Sequence, residues 1–118
     1  MNIIERFTLT DGVAVITGGG RGIGRAIALT YAQAGADVVL GARTLSDVEA
    51  VAEEVRSLGR RALAVSCDVN DAEQRAALVS QAREQMGRIT HLVNNAGGAG
   101  PNDPLTLSVE RFEEILRF

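Results

Sequence analysis

The sequence contains no lysine, and all twelve of its basic residues are arginine. Tryptophan is also absent, and three phenylalanines and one tyrosine are too few to fill an interior. A core must come from Ala, Val, Ile and Leu, and a hydrophobic content of 46% is enough for one. The single cysteine, Cys67, excludes an internal disulfide and fits a reducing compartment. No long apolar run opens the chain, because Asn2, Glu5 and Arg6 interrupt it. Neither signal peptide nor membrane span is expected, which points to the cytoplasm. A net charge of −3 gives no general reason to expect nucleic acid as a partner. Thirteen glycines against two prolines fit an α/β protein with tight turns, and 118 residues are one domain's worth.

What is present is a regular alternation of short apolar runs and amphipathic segments. After a lead-in over residues 1–10 and an Asp11-Gly12 turn, strands are expected at 13–17, 37–42, 62–66 and 89–93. Helices are expected from about Gly22 to Ala34, after a capping box at Ser46-Asp47-Val48-Glu49, from the Asn70-Asp71 cap to Met86, and from Val109 behind Ser108. Ile23, Ile27 and Tyr31 share a face of the first helix, and Val48, Val51, Ala52, Val55 and Leu58 stripe the second. Gly35, Gly59 and Gly87 supply stops. Such alternation calls for a parallel sheet with helices on both faces. Right-handed crossovers give the strand order 3-2-1-4. The order reverses beside strand one, so a ligand is expected at the carboxyl ends of the strands.

Two glycine-bearing segments fall on that edge. Thr17-Gly18-Gly19-Gly20-Arg21-Gly22-Ile23-Gly24 joins the first strand to the first helix. Glycines admit a ligand close to the backbone, and the helix that follows aims N–H groups and its positive dipole end at the turn, which suits a pyrophosphate. Asn94-Asn95-Ala96-Gly97 follows the fourth strand, and Asp68-Val69 follows the third. Asp68 could equally start a turn or assist the cap at Asn70. Asn94 reads as structural, its amide bridging backbone groups of neighbouring strands. His91 has no Cys or acidic partner at metal spacing and reads as structural, so no metal is expected.

Together these segments resemble the short-chain dehydrogenase/reductase family, whose members carry Thr-Gly-x-x-x-Gly-x-Gly after the first strand and Asn-Asn-Ala-Gly after the fourth. The resemblance covers essentially the whole chain. It implies a Rossmann-like, doubly wound sheet in one domain spanning residues 1–118, and a dinucleotide cofactor. On that basis Gly18, Arg21, Gly22, Ile23 and Gly24 would line the pyrophosphate and ribose. Asp68 and Val69 would border the adenine, and Asn95, Ala96 and Gly97 would pass beneath the nicotinamide-side ribose.

An NAD site usually carries an acid about twenty residues past the glycines, bonding the ribose hydroxyls. Here Ala42 stands at that place and Arg43 follows. A guanidinium suits a 2′-phosphate, Arg21 could flank the same group, and no carboxylate is expected to repel it. NADP(H) is therefore expected over NAD(H).

The family's chemistry is hydride transfer between nicotinamide and a secondary alcohol or ketone, assisted by a Tyr-x-x-x-Lys pair, a serine and a helix asparagine. The lone Tyr31 lies in the first helix, Gly35 fills its fourth following position, and there is no lysine to complete a pair. No catalytic residue is therefore assigned. The last helix, still running at Phe118, gives the expectation that this is the cofactor-binding half of a longer enzyme, truncated after the fourth strand and its helix, inactive alone and a homo-oligomer when complete. The Gly98-Ala99-Gly100-Pro101 loop could border the pocket without naming a substrate. The alternative is a non-catalytic nucleotide-binding module.

Overall fold

Val13–Thr17 forms β1, whose five residues are all buried because the strand is covered on both faces. The computed structural model describes residues 1–98 and 102–117. Around β1 lie α1 (Ile3–Arg6), α2 (Gly22–Gln33), β2 (Asp37–Ala42), α3 (Leu45–Ser57), β3 (Ala62–Ser66), α4 (Ala72–Met86), β4 (His91–Val93) and α5 (Val109–Arg117). The sheet is parallel, in the order β3-β2-β1-β4, as the alternation predicts. Val13 pairs with Asp37 and Val38 with Ala62, so all strands end on one edge.

The two faces carry separate apolar clusters. On one, Ala14, Ile16, Val38 and Leu40 meet Ala28 and Ala32 of α2 and Val48, Val51, Ala52 and Val55 of α3. On the other, Val15, Val39, Val65 and Cys67 meet Leu78, Ala82 and Met86 of α4. Each fully buried Val or Leu contributes about 2 kcal/mol of apolar burial, which holds the middle of the sheet together.

Several sequence expectations shift by a residue or two. The buried face of α2 is Gly24, Ala28 and Ala32, small residues that let the helix approach the sheet. Ile27 and Tyr31 pack at its margin, while Ile23 is 73% exposed. Helix α3 starts at Leu45 with Thr44 as its N-cap, two residues before the Ser46 cap expected, and the Thr44 carbonyl accepts from the N–H groups of Asp47 and Val48. Leu58 is the exposed C-cap of that helix and not part of its stripe. Asp71 caps α4 through the N–H groups of Glu73 and Gln74, and Gly87 ends it in the left-handed region. Ser108 Oγ accepts from Arg111 N–H at the start of α5. The lead-in contains α1, whose Asn2 and Glu5 form a capping box, a signal present in the sequence as Asn-x-x-Glu.

β4 is shorter than the expected 89–93. Thr90 accounts for this: its N–H donates to the Val13 carbonyl at 2.9 Å, and its hydroxyl accepts from Val13 N–H at 2.8 Å. A side chain therefore occupies the first rung of the ladder. Residues 99–101 of the loop expected to border the pocket lie outside the described residues, as does Phe118. No helix among the described residues is long and apolar enough to cross a membrane.

Candidate functional site

At the carboxyl edge of the sheet one hydroxyl ties the end of β1 to the turn after β4. Thr17 Oγ1, at the end of β1, accepts from the N–H groups of Asn95 and Ala96, both at 3.1 Å, and lies 3.4 Å from the Val93 carbonyl. The Asn95 side chain donates to the Gly18 carbonyl at 3.2 Å. The bridging amide expected of Asn94 thus belongs to Asn95, one residue on, and Asn94 is exposed. These bonds fix the turn after β1 against the turn after β4.

Close backbone approach explains the glycines. A Cβ on Gly24 would sit 2.2 Å from the Gly18 carbonyl oxygen, so only glycine lets α2 start this near β1. Gly18 has φ +68°, and a Cβ there would lie 2.9 Å from the Ala96 Cα. The start of α2 is also electrostatically open. Its N-cap, Arg21, makes no side-chain capping bond, and the first turn holds no acid, whereas Asp71 closes the corresponding end of α4. An uncapped helix N-terminus behind a glycine turn favours an anion.

A cleft of about 480 Å³ opens on this edge. Of the residues expected at the site, Gly18, Arg21, Ile23, Arg43, Asp68, Val69, Asn95, Ala96 and Gly97 line it. Gly22 and Gly24 do not; Gly24 is buried beneath the turn, and Gly22 holds φ +57° with open space around its Cβ position. Gly20 of the glycine turn and Gly98 of the following loop, which was expected to border the pocket, also line the cleft, and Gly41, Thr44, Asp47 and Cys67 join them without a site role expected of them. The sequence gives no period that would place Asp47 there, since it reads as a helix position. It adds a carboxylate to the cleft that holds the arginines, where none was expected to oppose a 2′-phosphate.

Asp68 combines a place at the cleft with a local turn, its Oδ1 accepting from Asn70 N–H at 2.9 Å. Gln74 Oε1 takes the Asp68 N–H at 2.7 Å and Arg75 donates to the Val69 carbonyl, also at 2.7 Å, so α4 holds this segment in place. Ser66 Oγ donates to the Arg43 carbonyl at 3.2 Å, tying the ends of β2 and β3. Burial, with the neighbouring Asp68 charge, pushes the Cys67 thiol above its ordinary value, so it stays a neutral wall. Among the described residues no hydrogen bond or ion pair engages the side chain of Arg21, Arg43 or Asp47. None of the described residues form a group of three or more metal-ligating side chains. Tyr31 lies elsewhere, its ring edge-on to His91 at 6.2 Å.

The family model described as short chain dehydrogenase matches residues 12–118. An uncharacterized oxidoreductase of Mycobacterium tuberculosis is 48% identical over 116 residues, covering 98% of this chain and 44% of that protein. The crystal structure of a short-chain type dehydrogenase/reductase from Mycobacterium marinum superposes with a TM-score of 0.87 at 35% identity, over 97% of this chain and 45% of that one. A 7α-hydroxysteroid dehydrogenase complexed with NADH and 7-oxo glycochenodeoxycholic acid gives a TM-score of 0.85 at 37% identity, over 96% and 44%. The chain thus spans less than half the length of these relatives.

Proposed function

The chain belongs to the short-chain dehydrogenase family, and from that premise we propose that its cleft holds NADP(H) for hydride exchange with a secondary alcohol or ketone. The carrying observation is the pair Arg21 and Arg43, both in the cleft and both without a described side-chain partner, where Ala42 leaves no acid at the end of β2. A related fold holds NADH, so the frame admits either dinucleotide and the choice rests on such residues. In this reading the glycine turn and the open end of α2 receive the pyrophosphate. The cradle fits it, because side chains at Gly18 and Gly24 would close the turn. Asp68 and Val69 border the adenine, and Asn95 to Gly97 support the nicotinamide-side ribose.

When bound, the cofactor supplies the hydride. This chain's residues bind and orient it, and none is placed to move the substrate's proton, so catalysis by these 118 residues alone is not expected. We read them as one dinucleotide-binding domain. The unpaired Cys67 supports a reducing, cytoplasmic setting, and the exposed Val109, Phe112 and Leu116 of α5 support self-association.

Titration of NADPH and NADH against the protein and its Arg43→Ala variant tests the reading. NADPH should bind more tightly. Arg43→Ala should weaken NADPH roughly 10- to 100-fold, as for loss of a charge-assisted hydrogen bond. NADH affinity should stay within about twofold, since a ribose hydroxyl makes no such bond. Equal affinities, or tighter NADH, overturn the preference.

A further inference from the structure

We propose that Asp47 is a specificity-determining residue, a carboxylate built into the cofactor cleft that weakens the 2′-phosphorylated dinucleotide and keeps NAD(H) usable. The proposal rests on the reading of the cleft as a dinucleotide site. Asp47 stands in the first turn of α3 and shares the cleft with Arg21 and Arg43. Its place is fixed by contact. A Cβ added at Gly20 would lie 2.8 Å from the Asp47 Cβ and 3.3 Å from its carbonyl carbon. The next residue, Val48, is fully buried and anchors the turn. The side chain therefore leaves the backbone beside the glycine turn and lines the cleft, and no described hydrogen bond or ion pair engages it.

The first turn of a helix favours a negative charge such as that of Asp47. The same dipole and the two guanidinia would attract a 2′-phosphate, and Asp47 is the carboxylate that shares the glycine-turn side of the cleft with them, whereas Asp68 lies after β3. Asp47 adds a like charge against that group. Toward a 2′-hydroxyl it has no such repulsion and can only accept a hydrogen bond. The predicted effect is a compressed preference: Arg21 and Arg43 favour NADP(H), and Asp47 limits by how much.

The test measures NADPH and NADH dissociation constants for the full chain and for Asp47→Asn and Asp47→Ser, which remove the charge with different side-chain shapes. NADPH should bind about fivefold more tightly to both variants, the scale of one partly exposed charge interaction, with NADH within about twofold. The gain should shrink in about 0.5 M salt, where screening is strong. An unchanged or weakened NADPH affinity with NADH unaffected overturns the role of Asp47 and leaves the Arg43 reading intact. Equal shifts for both cofactors also overturn it, as a packing effect. If wild type prefers NADH, the NADP(H) reading falls, yet a selective NADPH gain in both variants still supports Asp47. Binding of neither cofactor overturns both.

Discussion

Asp37 opens β2 and Arg43 directly follows its last residue, and the two meet opposite treatment. At the amino end, Asp37 is 5% exposed and its carboxylate receives Arg60 at 2.9 Å and Arg61 at 2.8 Å. The Arg61 N–H donates to it as well, at 3.0 Å. At the carboxyl end, Arg43 is exposed and its guanidinium meets no described partner. Each end also uses one threonine as a stitch: Thr90 ties β1 to β4 at the start, Thr17 ties them at the finish. A threonine thus ties β1 to β4 at both edges, and the difference lies in charge. One edge closes its charges on one another; the other leaves Arg21, Arg43, Asp47, Asp68 and an uncapped helix facing a cleft. Charges matched within the protein hold structure, and charges left open are available to a ligand.

The largest effect should come from filling the open edge. In Gly24→Ala the new methyl would meet the Gly18 carbonyl oxygen at 2.2 Å and the Asn95 amide nitrogen at 2.6 Å. Because the Gly18 contact is with backbone, α2 must back away from β1. Overpacking of this kind costs about 3 kcal/mol, read as a lower urea midpoint. NADPH binding should be lost at concentrations that saturate the wild type. A variant that keeps its affinity within about twofold would remove the cradle from the candidate site.

The carboxyl edge was largely legible in the sequence because its signals are local. Glycines, Thr17 and the Asn-Asn-Ala-Gly turn announce close backbone approach wherever they stand, and the alternation sets the strand order. The amino edge was not legible. Nothing adjacent to Asp37 in the sequence announces Arg60 and Arg61, which reach it only through β3 pairing in parallel with β2. Asp47 escaped for the same reason, since its meeting with Gly20 depends on how α3 packs. Details within elements moved where small residues decided the fit: α2 turned its Gly24-Ala28-Ala32 face inward, and Ile23 outward to the cleft.

Breaking the closed edge should give the converse result. Asp37→Asn leaves Arg60 and Arg61 without their buried counter-charge. Breaking a fully buried pair costs 3–5 kcal/mol, but the Arg60 and Arg61 side chains are 33% and 59% exposed, so water recovers part of it. A loss of about 2 kcal/mol is expected by urea unfolding. NADPH affinity should stay within about twofold, because the substitution lies at the far end of β2. A large loss of affinity with little loss of stability would erase the distinction between the edges.

The smallest effect is the acid dependence of that same pair. Burial alone would raise the Asp37 pKa, but hydrogen bonds from Arg61 and the charges of Arg60 and Arg61 outweigh it and hold the carboxyl below its ordinary value. A group whose pKa is lower folded than unfolded stabilises the fold above its unfolded pKa, about 3.9 for Asp. The contribution then falls away as pH drops through the folded pKa. Other carboxylates contribute too, Asp71 held down first by the Gln74 N–H and Glu54 by Arg25, so the wild-type curve alone does not isolate Asp37. The difference between wild type and Asp37→Asn does. It should be flat from neutral pH to just above 4 and narrow below that, because only the wild type has this carboxylate to protonate. A difference that stays constant down to pH 2.5, or widens, would show that protonation of Asp37 does not govern the stability of the amino edge.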